Sequence, residues 1–143
     1  LEQLQHKTRT EDSMNQRQLI LQRRETWRLY HIPGQSHYKT LKINSFQMAA
    51  NNTDEHEHAK MAVCLQLKRY GHQFITEAAK NQKDVDGLER RVDVVDLDLG
   101  VEYEIETTSL RAERFHGKDV EVVLIEGMTV EQAIEYAKKQ VIE

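Results

Sequence analysis

Four acidic residues have the most suggestive spacing in the chain. From Val101 to Thr107 the sequence reads Val-Glu-Tyr-Glu-Ile-Glu-Thr. In an extended chain, side chains alternate between faces, so Glu102, Glu104 and Glu106 share one face and Val101, Tyr103 and Ile105 the other. Asp93 lies on the preceding run, Arg91-Val92-Asp93-Val94-Val95-Asp96-Leu97, and Leu99-Gly100 reads as the two-residue turn of a β-hairpin between them. With Asp98 paired to Val101, Asp93 falls opposite Glu106 with Glu104 on the diagonal, at Cβ separations of ~4.5–5.5 Å and ~7–8 Å. Asp93, Glu104 and Glu106 would then converge on one cation, and hard carboxylate oxygens suit Mg²⁺ or Mn²⁺.

Burial decides whether that cation is needed. Two unit charges ~5 Å apart repel by roughly 3 kcal/mol at an effective dielectric of ~20 and by less than ~1 kcal/mol in water. A buried trio requires a metal or raised pKa values, whereas a wet sheet face requires neither. Glu alternating with Val, Tyr and Ile describes such a face equally well. The run Glu55-His56-Glu57-His58 looks metal-like, but His56 and His58 are two apart on a helix and point apart, which favours a solvated helix start. Cys64, with no basic neighbour in sequence, reads as a packed thiol rather than a nucleophile. The sequence has no Cys/His zinc pattern and no Gly-rich phosphate loop.

The elements that would carry these residues follow from periodicity. Glu11 to Tyr30, free of Gly and Pro, reads as an N-terminal helix broken by Pro33, and residues 35–52 as a connector. Asp54 and Glu57 have capping-box spacing ahead of a helix with Ala59, Ala62, Val63, Leu67 and Tyr70, closed by Gly71. His72 to Glu77 reads as a strand and Ala78 to Glu89 as a polar loop. After the hairpin come a short helix from Ser109 to His116, a buried strand over Val120–Ile125, and a final helix capped by Thr129 and Gln132. The order of the body is α-β-β-β-α-β-α, a mixed α/β sheet with helices on its faces.

Composition bounds the rest. The 143 residues suit one core; they are 38% hydrophobic and 31% charged with mean hydropathy −0.73. No run approaches the ~18–20 apolar residues of a membrane span. One cysteine excludes an internal disulfide, and no apolar leader opens the chain, so an intracellular, cytoplasmic setting is expected. Residues 1–50 hold eight basic and four acidic side chains, a net +4, while the remainder holds twelve and twenty, a net −8. The first region therefore reads as a basic helical arm and residues 51–143 as an acidic α/β domain.

The body order, with Asp93 and Glu104-Ile105-Glu106 separated by a gap of ten residues, resembles the PD-(D/E)XK nuclease superfamily over residues 54–143. The resemblance implies a restriction-endonuclease-like central sheet. It also implies a Mg²⁺- or Mn²⁺-dependent DNA endonuclease in which Asp93 and Glu104 hold the metal and Glu106 stands where the family carries a lysine. By the same resemblance, Glu77 and Glu57 occupy positions where some members add a carboxylate. Arg91, Arg111 and Arg114 are then the candidates for contacting DNA and supplying the lost cation, and a homo-oligomer is expected. Because Glu106 can act only as a base or an extra ligand, a second expectation stands beside the first: a catalytically degenerate module serving as a structural or interaction subunit through its arm. A third is an α/β binding domain unrelated to nucleases.

Overall fold

The computed structural model describes residues 16–34, 41–81 and 89–143. The helix start expected at Glu11 lies outside the described residues, as do residues 35–40 of the expected connector and 82–88 of the expected polar loop. Helix α1 covers 16–27 and leads into a two-residue strand, β1 (Tyr30–His31). Then follow α2 (Asp54–Arg69), β2 (Phe74–Lys80), β3 (Arg91–Asp96) and β4 (Val101–Glu106). The chain ends with α3 (Ser109–Ala112), a 3-10 turn (Glu113–Phe115), β5 (Glu121–Leu124) and α4 (Val130–Gln140). The protein is mixed α/β: one sheet in the order β1-β2-β3-β4-β5, antiparallel through β4, with β5 parallel to β4. No helix among the described residues is long and apolar enough to cross a membrane.

Local chemistry accounts for most boundaries. The cap of α2 is Thr53, whose hydroxyl accepts the His56 N–H at 3.1 Å, so the expected Asp54–Glu57 box is displaced by one residue and Glu57 is freed to turn inward. In α4 the Thr129–Gln132 capping box forms in both directions. Strand β2 runs to Lys80, through residues expected to be loop; Ala78 and Ala79 are poor strand formers by propensity, yet both are fully buried under close packing.

The hairpin differs from expectation in its turn. Asp96 Oδ1 accepts the Asp98 and Leu99 N–H groups, and the Asp96 carbonyl accepts the Gly100 N–H at 2.9 Å, closing a four-residue turn over 97–100. Gly100 sits at φ +70°, open to glycine. The pairs are Val94–Tyr103, Val95–Glu102 and Asp96–Val101, two residues out from the register of a two-residue turn. The next rung therefore faces Asp93 with Glu104, not Glu106.

Each sheet face has its own apolar cluster. Ala59, Val63 and Leu67 of α2 with Ala133 and Ala137 of α4 cover Val94, Tyr103, Ile105 and Val123. On the other face Trp27, Tyr30 and Leu41 cover Ile75, Ala78, Val92, Val95 and Leu97. The N-terminal region thus supplies an edge strand and half of one core layer. Arg23 fastens it further, its Nε bonding Asp98 Oδ1 at 2.7 Å and its Nη2 the Gly71 carbonyl at 3.1 Å.

Strict alternation fails at one level of the sheet. Ile75 and Ala78 share a cluster although three residues apart, and so do Val92 and Val95. The β2–β3 pairs run Phe74–Asp96, Ile75–Val95 and Thr76–Val94, then resume at Ala78–Val92, leaving Glu77 and Asp93 at the gap. Glu77 has φ +48°, a left-handed conformation that turns the strand there. Both strands slip together, and the ladder opens where the candidate site begins.

Candidate functional site

The site forms around that opening. Asp93, released from the ladder, accepts the Ile105 N–H through Oδ2 at 2.8 Å, a bond that a strand carbonyl would otherwise take. Its neighbour Glu104 is buried, at 5% exposure. Glu104 Oε1 meets no hydrogen-bond donor among the described residues. Burial, then the charge of Asp93 and a hydrogen bond to it, push the Glu104 carboxyl far above the ordinary carboxylate range. The acidic strand face is not wet: Glu102 and Glu104 are both buried, and Glu106 is half-buried. Burial and Asp93 raise the Glu106 pKa against the opposing charges of Arg111, His56 and Arg114.

Helix α2 adds a second layer that the sequence reading passed over. His56 is not part of a solvated helix start: it is buried, with Nδ1 3.0 Å from Glu57 Oε1 and Nε2 3.3 Å from Asp93 Oδ2. Burial works against the imidazolium, but Asp93 and then Glu57 outweigh it and leave the His56 pKa raised. Glu57 is fixed by the Asn52 amide at 2.8 Å and the Ala49 N–H at 3.0 Å. Burial would raise its pKa, yet the bonds from Asn52, Lys60, Ala49 and His56 together hold it low.

Lys60, fully buried, donates to Glu77 Oε1 and the Gln47 carbonyl, each at 2.7 Å, and lies 3.0 Å from Glu57 Oε2. Its ammonium also lies 4.9 Å from the centre of the Phe46 ring. The signal for these residues was present: His56 and Lys60 lie on the same helical stripe as Ala59, Val63 and Leu67, so they face the sheet. His58, two residues on, is exposed.

A cleft of about 170 Å³ opens on this cluster, lined by Asn52, His56, Asp93, Glu104, Glu106 and Arg111 among others. Of the sequence candidates it gathers Asp93, Glu104, Glu106 and Arg111. Glu77 and Glu57 stand behind it, engaged by Lys60. Arg114 reaches it only through its charge on Glu106. Arg91 is 62% exposed, 3.8 Å from Glu89, and borders a separate depression of about 560 Å³ beside Glu77, Pro33 and Met48. Cys64 is buried, and burial pushes its thiol up to about 12, the packed thiol expected.

Hard oxygen donors and an unpartnered buried Oε1 suit a divalent cation bound by Asp93 and Glu104. A third ligand is not in position: among the described residues no group of three His, Cys, Asp or Glu side chains is arranged to hold a metal ion. Glu77 is occupied by Lys60, and Asp93 Oδ2 is shared between His56 and the Ile105 N–H. Comparison of the chain with protein-family models, with curated proteins and with solved structures finds no match.

Proposed function

We propose that this protein is a Mg²⁺- or Mn²⁺-dependent phosphodiester hydrolase of the PD-(D/E)XK type, acting on DNA. The observation that carries the reading is the pairing of partly buried Asp93 with buried Glu104, the latter with an unpartnered oxygen, in a cleft that an arginine also lines. A three-strand antiparallel meander followed by a helical turn and a parallel strand supports it, since this is the arrangement the resemblance implies.

In this reading Asp93 and Glu104 hold the cation, which would polarise the scissile phosphate and acidify the attacking water. Metal binding requires Glu104 to give up its proton, so affinity for the ion rises with pH. Glu106 accepts the proton of the water. Arg111 stands beside it as the cation nearest the developing phosphate charge, the part a lysine would otherwise fill. His56, backed by Glu57 and Lys60, fixes the orientation of Asp93.

The test is incubation with supercoiled, linear, branched and single-stranded DNA, with and without Mg²⁺ or Mn²⁺. Wild type is expected to cleave, with activity lost in Asp93→Asn and Glu104→Gln and reduced at least tenfold in Arg111→Gln. A second reading, a degenerate module used as a structural or interaction subunit, is favoured by one observation: among the described residues no three His, Cys, Asp or Glu side chains are arranged to hold a metal ion. Absence of both cleavage and any ion-dependent shift in melting would select it.

A further inference from the structure

On the same face of β4, two residues from Glu104 and so ~6.6–6.8 Å along the strand, Glu102 lies under a second cleft of about 510 Å³. The cleft runs between α1 and the approach to β5, with Lys80, Arg90 and Lys118 facing Glu102 and Asp119. Tyr30 donates to Glu102 Oε2 at 2.6 Å, and Lys80 Nζ lies 3.6 Å from the same oxygen.

Arg90 is incompletely used. Its Nη2 is 3.0 Å from Glu102 Oε1 but misaligned for a hydrogen bond, and its Nε finds no acceptor among the described residues. Nε and Nη2 form the edge with which a guanidinium grips an oxyanion through two parallel bonds. Lys118, exposed, makes no ion pair among the described residues; its ammonium lies 6.0 Å from the centre of the Phe115 ring. Three cations against two carboxylates leave the cleft with an excess positive charge, although residues 51–143 as a whole are acidic.

We infer that this cleft is a phosphate subsite that holds the backbone of the nucleic-acid strand one step from the carboxylate cleft, with Lys118 and Lys80 at its mouth and Arg90 at its floor. The inference rests on the proposed hydrolase reading for its choice of ligand, a phosphodiester strand. It explains how a domain of net negative charge holds a polyanion: the grip is confined to one cleft beside the reacting centre.

Binding of a labelled single-stranded oligonucleotide, followed by anisotropy in EDTA across a salt series, separates this from catalysis because neither metal nor cleavage is required. Lys118→Gln is expected to weaken binding about five- to tenfold near 0.1 M salt and to lower the slope of log K against log salt by about one. Adding Lys80→Gln should lower the slope by about one more. Arg24→Gln, whose side chain borders a different depression, should leave the slope unchanged.

Equal slopes in wild type and both cleft variants, or no binding by wild type at low salt, would overturn the inference. So would protection of Lys118 from acylation by inorganic phosphate but not by the oligonucleotide, which would make the ligand a small anion. Failure to cleave DNA with the salt slopes behaving as expected would overturn the hydrolase reading and leave the subsite standing.

Discussion

Glu102 and Glu104 are the same residue type on the same face of one strand, both about 95% buried, and the fold treats them in opposite ways. Glu102 receives a tyrosine hydroxyl and two cations. Glu104 receives one more carboxyl and leaves an oxygen bare. A buried carboxylate with matched partners is part of the framework, because each partner loses its own compensation if the acid is removed. A buried carboxyl pressed against a like group raises the free energy of the fold, and such positions are kept for what they bind. The difference separates a compensated carboxylate from an uncompensated carboxyl within two residues.

The largest expected effect comes from breaking the satisfied side. Glu102→Ala leaves Arg90 buried without its counter-charge and should cost about 3–5 kcal/mol in denaturant unfolding; a loss below about 1 kcal/mol would erase the contrast. Glu104→Gln should act in the other direction, stabilising the metal-free protein by on the order of 2 kcal/mol at pH 8. Because the folded-state pKa lies above the ordinary 4.5, the folded protein holds a proton that the unfolded chain releases, and the penalty grows as pH rises from that value. The gain should therefore vanish near pH 4.5, and urea unfolding at the two pH values measures it.

His56→Gln tests the support of Asp93 and should cost about 1 kcal/mol at pH 5.5. The folded-state pKa of His56 is raised from 6.5, so its contribution is complete below that value and is lost as pH climbs through the raised one. Unfolding curves of the variant and wild type should converge as pH rises through the raised value. Arg91→Ala, exposed and only loosely paired, should stay within about 0.5 kcal/mol of wild type by the same measurement.

Period-two alternation was enough to put Glu102, Glu104 and Glu106 on one face and to bring Asp93 beside them. It did not reveal the register, because the turn is closed by the Asp96 side chain, and a carboxylate competing for backbone N–H groups leaves no trace in an apolar pattern. Nor did it reveal burial. The groups that cover Glu102 include Tyr30, 72 residues away, and contact across that separation is decided by tertiary packing. His56 and Lys60 were legible in principle from their helical stripe, but a histidine and a lysine at a helix start are ordinarily surface residues. The helices fared best: the capping box of α4 and the closing Gly71 of α2 are local interactions, and local interactions can be read locally.

The paired slip of β2 and β3 also bears on how such a protein changes over generations. Ile75, Ala78, Val92 and Val95 continue the core on either side of it, so Glu77 and Asp93 belong to neither apolar cluster. Apolar packing therefore constrains those two positions weakly; what constrains them is their polar partners, buried Lys60 for Glu77 and His56 with the Ile105 N–H for Asp93. A descendant that trades either side chain must therefore also replace the polar partner left unpaired, while the apolar layers above and below the break are inherited unchanged.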